Sequence, residues 1–218
     1  NPKYLFSKYL WVTGTSDEVK KYREYFVRKI EKKNLNKKNI LEIASNDGFF
    51  LKKFKKKGFN VLGVDPAKNI VKKANKDGIN TLPLFFNEKT ADIVQKKYFN
   101  PDIIICRNVI PHAENINAVI GGISRILDEN GKAYIEFHYA ENISKKLHYD
   151  YIYHEHIFYF TYLSIKNLLN KHNLHPIDYF KSPISGGSLV LEISKKKIFE
   201  SKKLIKLKQQ ENKTKINL

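Results

Sequence analysis

The densest concentration of reactive side chains is Asp150-Tyr151-Ile152-Tyr153-His154-Glu155-His156-Ile157-Phe158-Tyr159-Phe160. Two histidines flank a glutamate and three tyrosines stand beside them, so a base, an acid and an orienting carboxylate fall within a few residues. Histidine titrates near neutral pH and is the commonest general base, and a carboxylate partner orients it or favours its charged form. Two other uses of these residues stay open. His154 and His156 have the His-x-His spacing that chelates zinc, although no third ligand stands out and no metal is expected. The aromatics can also serve packing alone. Another histidine, His112, ends Asn108-Val109-Ile110-Pro111-His112 and is either substrate-facing or an ordinary loop residue.

A ligand-holding turn is expected at Ala44-Ser45-Asn46-Asp47-Gly48. The apolar run 40–44 ends there in small or polar residues, and amphipathic spacing resumes at Phe50, Leu51 and Phe54, the pattern of a strand, a tight turn and a helix N-terminus. Backbone N–H groups at such a turn can face a ligand closely. The carboxylates of Asp47 and Glu42 argue against a phosphate in the turn and for hydroxyls or an ammonium group. Asp65, eighteen residues past Asp47, ends the next apolar run in Asp65-Pro66. An acid at this place commonly holds the two ribose hydroxyls of a nucleotide ligand; the alternative is a cap for the following helix. The pair narrows the ligand to a dinucleotide or S-adenosylmethionine. A dinucleotide fingerprint requires three glycines, and only Gly48 is present.

Positioning these residues requires alternating strands and helices. Thr15-Ser16-Asp17-Glu18 has capping-box spacing, Thr15 with Glu18, ahead of a helix with Val19, Tyr22, Tyr25, Phe26 and Ile30 on one stripe. Strands are expected at 40–44, 60–64, 79–82, 102–106 and 132–137, with helices at 48–57, 67–76, 88–97 and 115–127 between them. That alternation specifies an α/β fold, a mostly parallel sheet with helices on both faces. In an open sheet of this kind ligands bind beyond the carboxyl ends of the strands. The rule selects 44–48, Asp65-Pro66, Phe86-Asn87, Arg107-Asn108 and His138-Tyr139. The aromatic segment 139–160 breaks the alternation and is expected to be a functional loop. A helix at 161–172 and strands at 177–181 and 188–193 close the sheet with an antiparallel hairpin. Residues 1–38 are expected to form an aromatic arm and a helix packed on the core, 39–194 the main domain, and 195–218 a basic helix or linker.

The 218 residues carry a formal charge of +18, almost all of it lysine. Only Arg23, Arg28, Arg107 and Arg125 offer guanidinium groups, the usual means of bidentate base or phosphate recognition. With so few guanidinium groups, a nucleic-acid partner is a weaker reading than a solvated surface or attraction to a phosphorylated small molecule. No apolar run approaches the ~20 residues that span a bilayer. The single cysteine, Cys106, allows no intrachain disulfide, and a cytoplasmic location is expected.

The turn 44–48 resembles motif I of class I methyltransferases, with Ala44 where glycine is usual. Taken with Val64-Asp65-Pro66, Arg107-Asn108-Val109-x-x-His112, Tyr153-His154-Glu155-His156 and Gly186-Gly187-Ser188-Leu189, the chain resembles the S-adenosylmethionine-dependent C-methyltransferases of nucleotide-linked 4-keto deoxysugars, such as the tetronitrose C-3′ methyltransferase, over roughly residues 4–194. The resemblance implies a class I methyltransferase Rossmann-like fold, S-adenosylmethionine as cofactor (S-adenosylhomocysteine as product) and a nucleotide sugar as small-molecule substrate. It implies His156 as the base, with Tyr153, Glu155 and His112 as its neighbours. It further implies Ala44, Ser45, Asn46, Asp47, Gly48, Asp65, Pro66, Phe86, Asn87, Arg107 and Asn108 at the cofactor, and Tyr9, His154 and Tyr159 at the substrate. Family members also carry an N-terminal zinc module and a C-terminal domain, neither of which these residues contain. A small-molecule O-methyltransferase, with His156 deprotonating a hydroxyl, is the alternative reading.

Overall fold

The apolar runs form seven strands: β1 (Asn39–Ile43), β2 (Asn60–Val64), β3 (Thr81–Leu82), β4 (Ile103–Arg107), β5 (Lys132–Phe137), β6 (His175–Lys181) and β7 (Leu189–Ser194). In the computed structural model, which describes residues 13–184 and 186–214, they make one sheet in the order β3-β2-β1-β4-β5-β7-β6. Strands β1 to β5 are parallel, and β7 is antiparallel to both β5 and β6. Eight α-helices accompany the described strands: α1 (Asp17–Lys33), α2 (Phe49–Lys56), α3 (Lys68–Lys76), α4 (Glu88–Lys97), α5 (Ile116–Ile126), α6 (Ala140–Lys145), α7 (Tyr162–Lys171) and α8 (Lys202–Thr214). The parallel α/β fold and its closing antiparallel hairpin are as the alternation specifies. Local details differ: β3 keeps two of its four expected residues, β4 lies one residue later, β6 begins two residues earlier, and α6 lies within the expected loop 139–160. The N-cap of α1 is Ser16, whose extended backbone lets its side chain accept from Val19 N–H at 3.2 Å, so the cap lies one residue past the expected Thr15.

Strand alternation divides the core between the two faces of the sheet. Leu41, Ile43, Ile104, Cys106, Ala133 and Ile135 meet α4, α5, α7 and α8 through residues such as Val94, Ile120, Ile165 and Leu204. On the opposite face Ile40, Ile103, Ile105 and Tyr134 meet Tyr22, Phe26 and Ile30 of α1 and Phe50, Leu51 and Phe54 of α2. The lysine-rich terminal helix α8 thus buries Leu204 and Leu207. Its Glu211 accepts from the backbone N–H of Tyr162 and Leu163, capping α7, and from the hydroxyl of Tyr139.

The α1/α2 face also buries three charges. Arg107 donates to Glu42 Oε1 from Nε (3.0 Å) and Nη2 (2.8 Å), and its guanidinium lies 3.4 Å from the centre of the Phe50 ring. Glu136 is the register partner of Arg107 across β4 and β5, and its buried carboxyl lies near the hydroxyls of Tyr22 and Ser182 without a well-formed hydrogen bond to either. Burial pushes the Glu136 carboxyl up; burial opposes the Arg107 charge, but Glu42 and Glu136 outweigh it. Removing the shared cation leaves two buried carboxylates without compensation, which costs about 3–5 kcal/mol in comparable cases. Arg107→Leu is therefore expected to lower the unfolding free energy by about that amount in urea titrations. A loss below about 1 kcal/mol would show that the pair is dispensable.

Candidate active site

The first turn is built from left-handed backbone. Ala44, Asn46 and Gly48 have φ of 51°, 51° and 71°. Asparagine and glycine adopt this region readily, whereas alanine does so at a cost of about 1–2 kcal/mol. A Cβ at Gly48 would also come within 2.8 Å of Ile79. The N–H groups of the turn are not turned toward a ligand as expected, because each has an internal acceptor. Ser45 donates to Val64 O, Asn46 to Asp65 Oδ2, Asp47 to Asn46 Oδ1, Gly48 to Ser45 O and Phe49 to Asp47 Oδ1. Tight left-handed geometry folds the donors back onto the turn itself. What the turn offers instead is acceptor character, which suits hydroxyls and an ammonium group.

Asp65 is both ligand candidate and strut. Its two oxygens accept from Asn46 N–H and Ala67 N–H, each at 2.9 Å. A carboxylate has about four acceptor sites, so two remain for a ribose diol. Burial pushes the Asp65 carboxyl up, against the two backbone donors that pull it down. Ser45 Oγ, which lies over Gly63 of β2, and Asn108 Oδ1 just past β4 are buried without a partner. Buried polar atoms are nearly always paired, so these orphans fit a bound polar ligand at the carboxyl edge of the sheet. Other residues expected at the cofactor have structural partners. Arg107 turns to the opposite face as described, Phe86 packs in the core against Gly122, and Asn87 Oδ1 caps α4 by accepting from Thr90 N–H.

Segment 139–160 leaves and rejoins the sheet at one place. Tyr139 and Phe160 form a bridge, and Ala140 N–H donates to Phe160 O. Within it, Ile157 and Phe158 donate to Pro111 O, and His112 Nδ1 lies 2.8 Å from Glu155 O. These bonds bring His112 and His156, far apart in sequence, to a ring separation of 4.7 Å. His156 Nδ1 is 2.7 Å from Tyr151 O and must donate to it, leaving Nε2 as an acceptor 3.1 Å from the Tyr153 hydroxyl. The orienting partners are therefore backbone carbonyls, not the Glu155 carboxylate. That carboxylate makes no hydrogen bond among the described residues and acts on His112 only through its charge. Tyr159 stands edge-on to His156 with its hydroxyl 3.3 Å from Tyr151 O, and His154 is exposed. Tyr9 lies outside the described residues. No group of three His, Cys, Asp or Glu among the described residues is placed to hold a metal ion.

One residue at the centre of the cluster is among the strand-end positions expected to meet a ligand but has no role in the expected site. His138, directly after β5, has its ring 4.7 Å from that of His156 and 4.9 Å from that of Tyr151. The strand-end rule selects its position; what was missing from the sequence was any sign that two distant loops close over it. Burial, reinforced by His156 and His112, pushes His138 down to about 4. Burial lowers His112 too. An unfolded histidine takes its proton near pH ~6.5, so below that pH the unfolded chain binds more protons than the folded one. Stability present above pH ~6.5 is lost as the pH falls through ~6.5 toward about 4. Urea midpoints are expected to fall across this window, and to fall less steeply in His138→Phe. An unchanged slope in the variant would show that His138 protonates as easily folded as unfolded.

The sequence matches the family described as "Methyltransferase domain" over residues 17–179. It is 29% identical over 192 residues to the C-methyltransferase NovU of Streptomyces niveus, covering 87% of this chain and 46% of that protein. It is 30% identical over 120 residues to the ubiquinone biosynthesis O-methyltransferase of Rickettsia typhi (strain ATCC VR-144 / Wilmington), covering 51% of this chain and 46% of that one. The chain thus spans about half the length of the curated relatives it matches. Among solved structures, the magnesium protoporphyrin IX methyltransferase (ChlM) from Synechocystis PCC 6803 with bound SAM superimposes with a TM-score of 0.60 at 14% identity, over 82% of this chain and 84% of that one. The chain belongs to the family described as "Methyltransferase domain", and its fold is that of solved class I methyltransferases.

Proposed function

We propose that this domain methylates a carbon atom of a nucleotide-linked 4-keto deoxysugar, with His156 as the base that forms the enolate. The observation that carries the reading is the two-sided hold on His156: Nδ1 tied to Tyr151 O at 2.7 Å and Nε2 facing the Tyr153 hydroxyl at 3.1 Å. This fixes the tautomer, so Nε2 is the basic nitrogen. The likeness to a protein named as a C-methyltransferase supports the same choice of atom.

Ala44 to Gly48, Asp65, Pro66 and Asn108 would hold the donor, with Ser45 Oγ and Asn108 Oδ1 taking the polar contacts they lack within the chain. When bound, S-adenosylmethionine supplies a methyl group on a positively charged sulfur, open to attack by a carbon nucleophile. The chain's own part is the proton. A C–H beside a ketone is acidic enough for a positioned imidazole. Tyr153 holds Nε2 before the substrate arrives; turning its O–H to the keto oxygen frees Nε2 and supplies a donor where negative charge develops. The proton moves from carbon to Nε2, and the ring becomes cationic while the carbonyl of Tyr151 keeps it aligned. Tyr153 is 43% exposed, so the proton can leave by that side. His112, held by Glu155 O, is a second donor candidate.

Each role has a separate measurement. Wild type is expected to exchange the proton beside the ketone in deuterated water, and His156→Gln to lose methyl transfer by roughly 10²–10⁴-fold together with the exchange. Tyr153→Phe is expected to lower kcat by about 10²-fold. Methylation at oxygen without exchange would replace this reading with that of an O-methyltransferase, and an active His156→Gln would remove the assigned base.

A further inference from the structure

Three imidazoles meet in this site, and two of them are already claimed. His112 Nδ1 is bonded to Glu155 O, and His156 Nδ1 to Tyr151 O. His138 differs, since its Nδ1 is buried and has no partner. A buried ring nitrogen left unpaired is costly and calls for an absent partner. Its neighbour across the sheet has the same deficit. Asn108 N–H donates to Glu136 O, which sets Asn108 beside the end of β5, and its Oδ1 is likewise buried and unpaired. The orphan nitrogen of His138 therefore sits beside the ring of the proposed base, one strand from the orphan Asn108 Oδ1 assigned above to the donor. Protein groups already surround the cluster: Tyr151, His156 and His112 on the loops, and His148 behind Tyr151 at a ring separation of 5.7 Å. None of them supplies a bond to His138 Nδ1.

We infer that His138 contacts the methyl acceptor, its Nδ1 hydrogen-bonding a hydroxyl of the sugar next to the carbon that His156 deprotonates. The inference rests on the proposed acceptor class and base. A hydroxyl both donates and accepts, so it satisfies Nδ1 in either tautomer. Histidine here stays neutral at working pH, because burial and two neighbouring histidines disfavour its charge. It therefore binds without repelling the imidazolium that forms on His156. A contact of this kind also selects among acceptors, since a site built to pair a hydroxyl rejects an analogue that lacks it.

The test uses a nucleoside-diphosphate-linked 4-keto deoxysugar as acceptor, with wild type, His138→Phe, His138→Asn, His138→Gln and His156→Gln. Phenylalanine keeps the ring packing and removes the nitrogen; asparagine places a polar atom near Nδ1 and glutamine near Nε2. Expected is a loss of about 10- to 100-fold in kcat/KM for the acceptor in His138→Phe, with the KM for S-adenosylmethionine unchanged. His138→Asn should recover most of it and His138→Gln little. Should His138→Phe fail to fold, judged by its circular dichroism, the contrast between Asn and Gln decides the question alone. Activity of His138→Phe within about twofold of wild type, equal rescue by Asn and Gln, or an effect confined to S-adenosylmethionine would overturn the contact and reduce His138 to packing. An active His156→Gln beside an impaired His138→Phe would reject the base and keep the contact. No turnover of this acceptor by wild type would reject the acceptor class, and the contact with it.

Discussion

The Glu42–Arg107 pair is the constraint on which the site depends. It joins the carboxyl ends of β1 and β4, and the register brings Glu136 of β5 beside it. Those strand ends are the points from which the ligand-facing residues depart: Ala44 to Gly48 after β1, Asn108 to His112 after β4, and His138 after β5. Burying three charges is expensive, and a hydrophobic replacement of a whole buried cluster is often as stable. The physical gain is positional. An apolar contact tolerates sliding, whereas a guanidinium held at 2.8 and 3.0 Å and stacked 3.4 Å from Phe50 does not.

From that platform the site is assembled largely by backbone groups. The turn uses up its own N–H donors and ties itself to β2 through Asp65, so its rigidity precedes any ligand. The histidines are aligned by carbonyl oxygens of loop residues instead of by carboxylates. A carbonyl can only accept, so it orients each imidazole and fixes which ring nitrogen carries the hydrogen. The Glu211 carboxylate of α8, on Tyr139 and the start of α7, fixes the far side of the same loop. A helix that reads as a linker thus helps set the base of the site.

Much of the fold was legible. The strands at 60–64 and 132–137 and the helix at 88–97 coincide with β2, β5 and α4, because short, largely apolar runs bounded by turn residues, and a helix opened by a capping asparagine, leave little choice of element. The boundary at Ser16 shifted by one residue, since Thr15 and Ser16 are chemically equivalent caps and only the backbone direction separates them. Arg107, Phe86 and Asn87 lie where the strand-end rule sends them, but the rule gives the location of a residue and not the direction of its side chain. Alternation turns Arg107 to the helical face, and the cap requirement of α4 claims Asn87.

The sequence by itself determined the alternating α/β order, the turn with its acid eighteen residues on, and the Tyr-His-Glu-His run. These are local properties, set by period, residue size and side-chain chemistry. Only the tertiary structure decided which groups meet. It closed the loop 139–160 on itself, pinned it to Pro111, and so brought together His112, His138 and His156 from three separate segments. It also gave the basic nitrogen of His156 its identity, through a carbonyl five residues earlier that no side-chain motif records. The meeting of the rings depends on non-local bonds to Pro111 and between His112 and Glu155, and the tautomer on a backbone carbonyl whose direction is set only once the loop has folded.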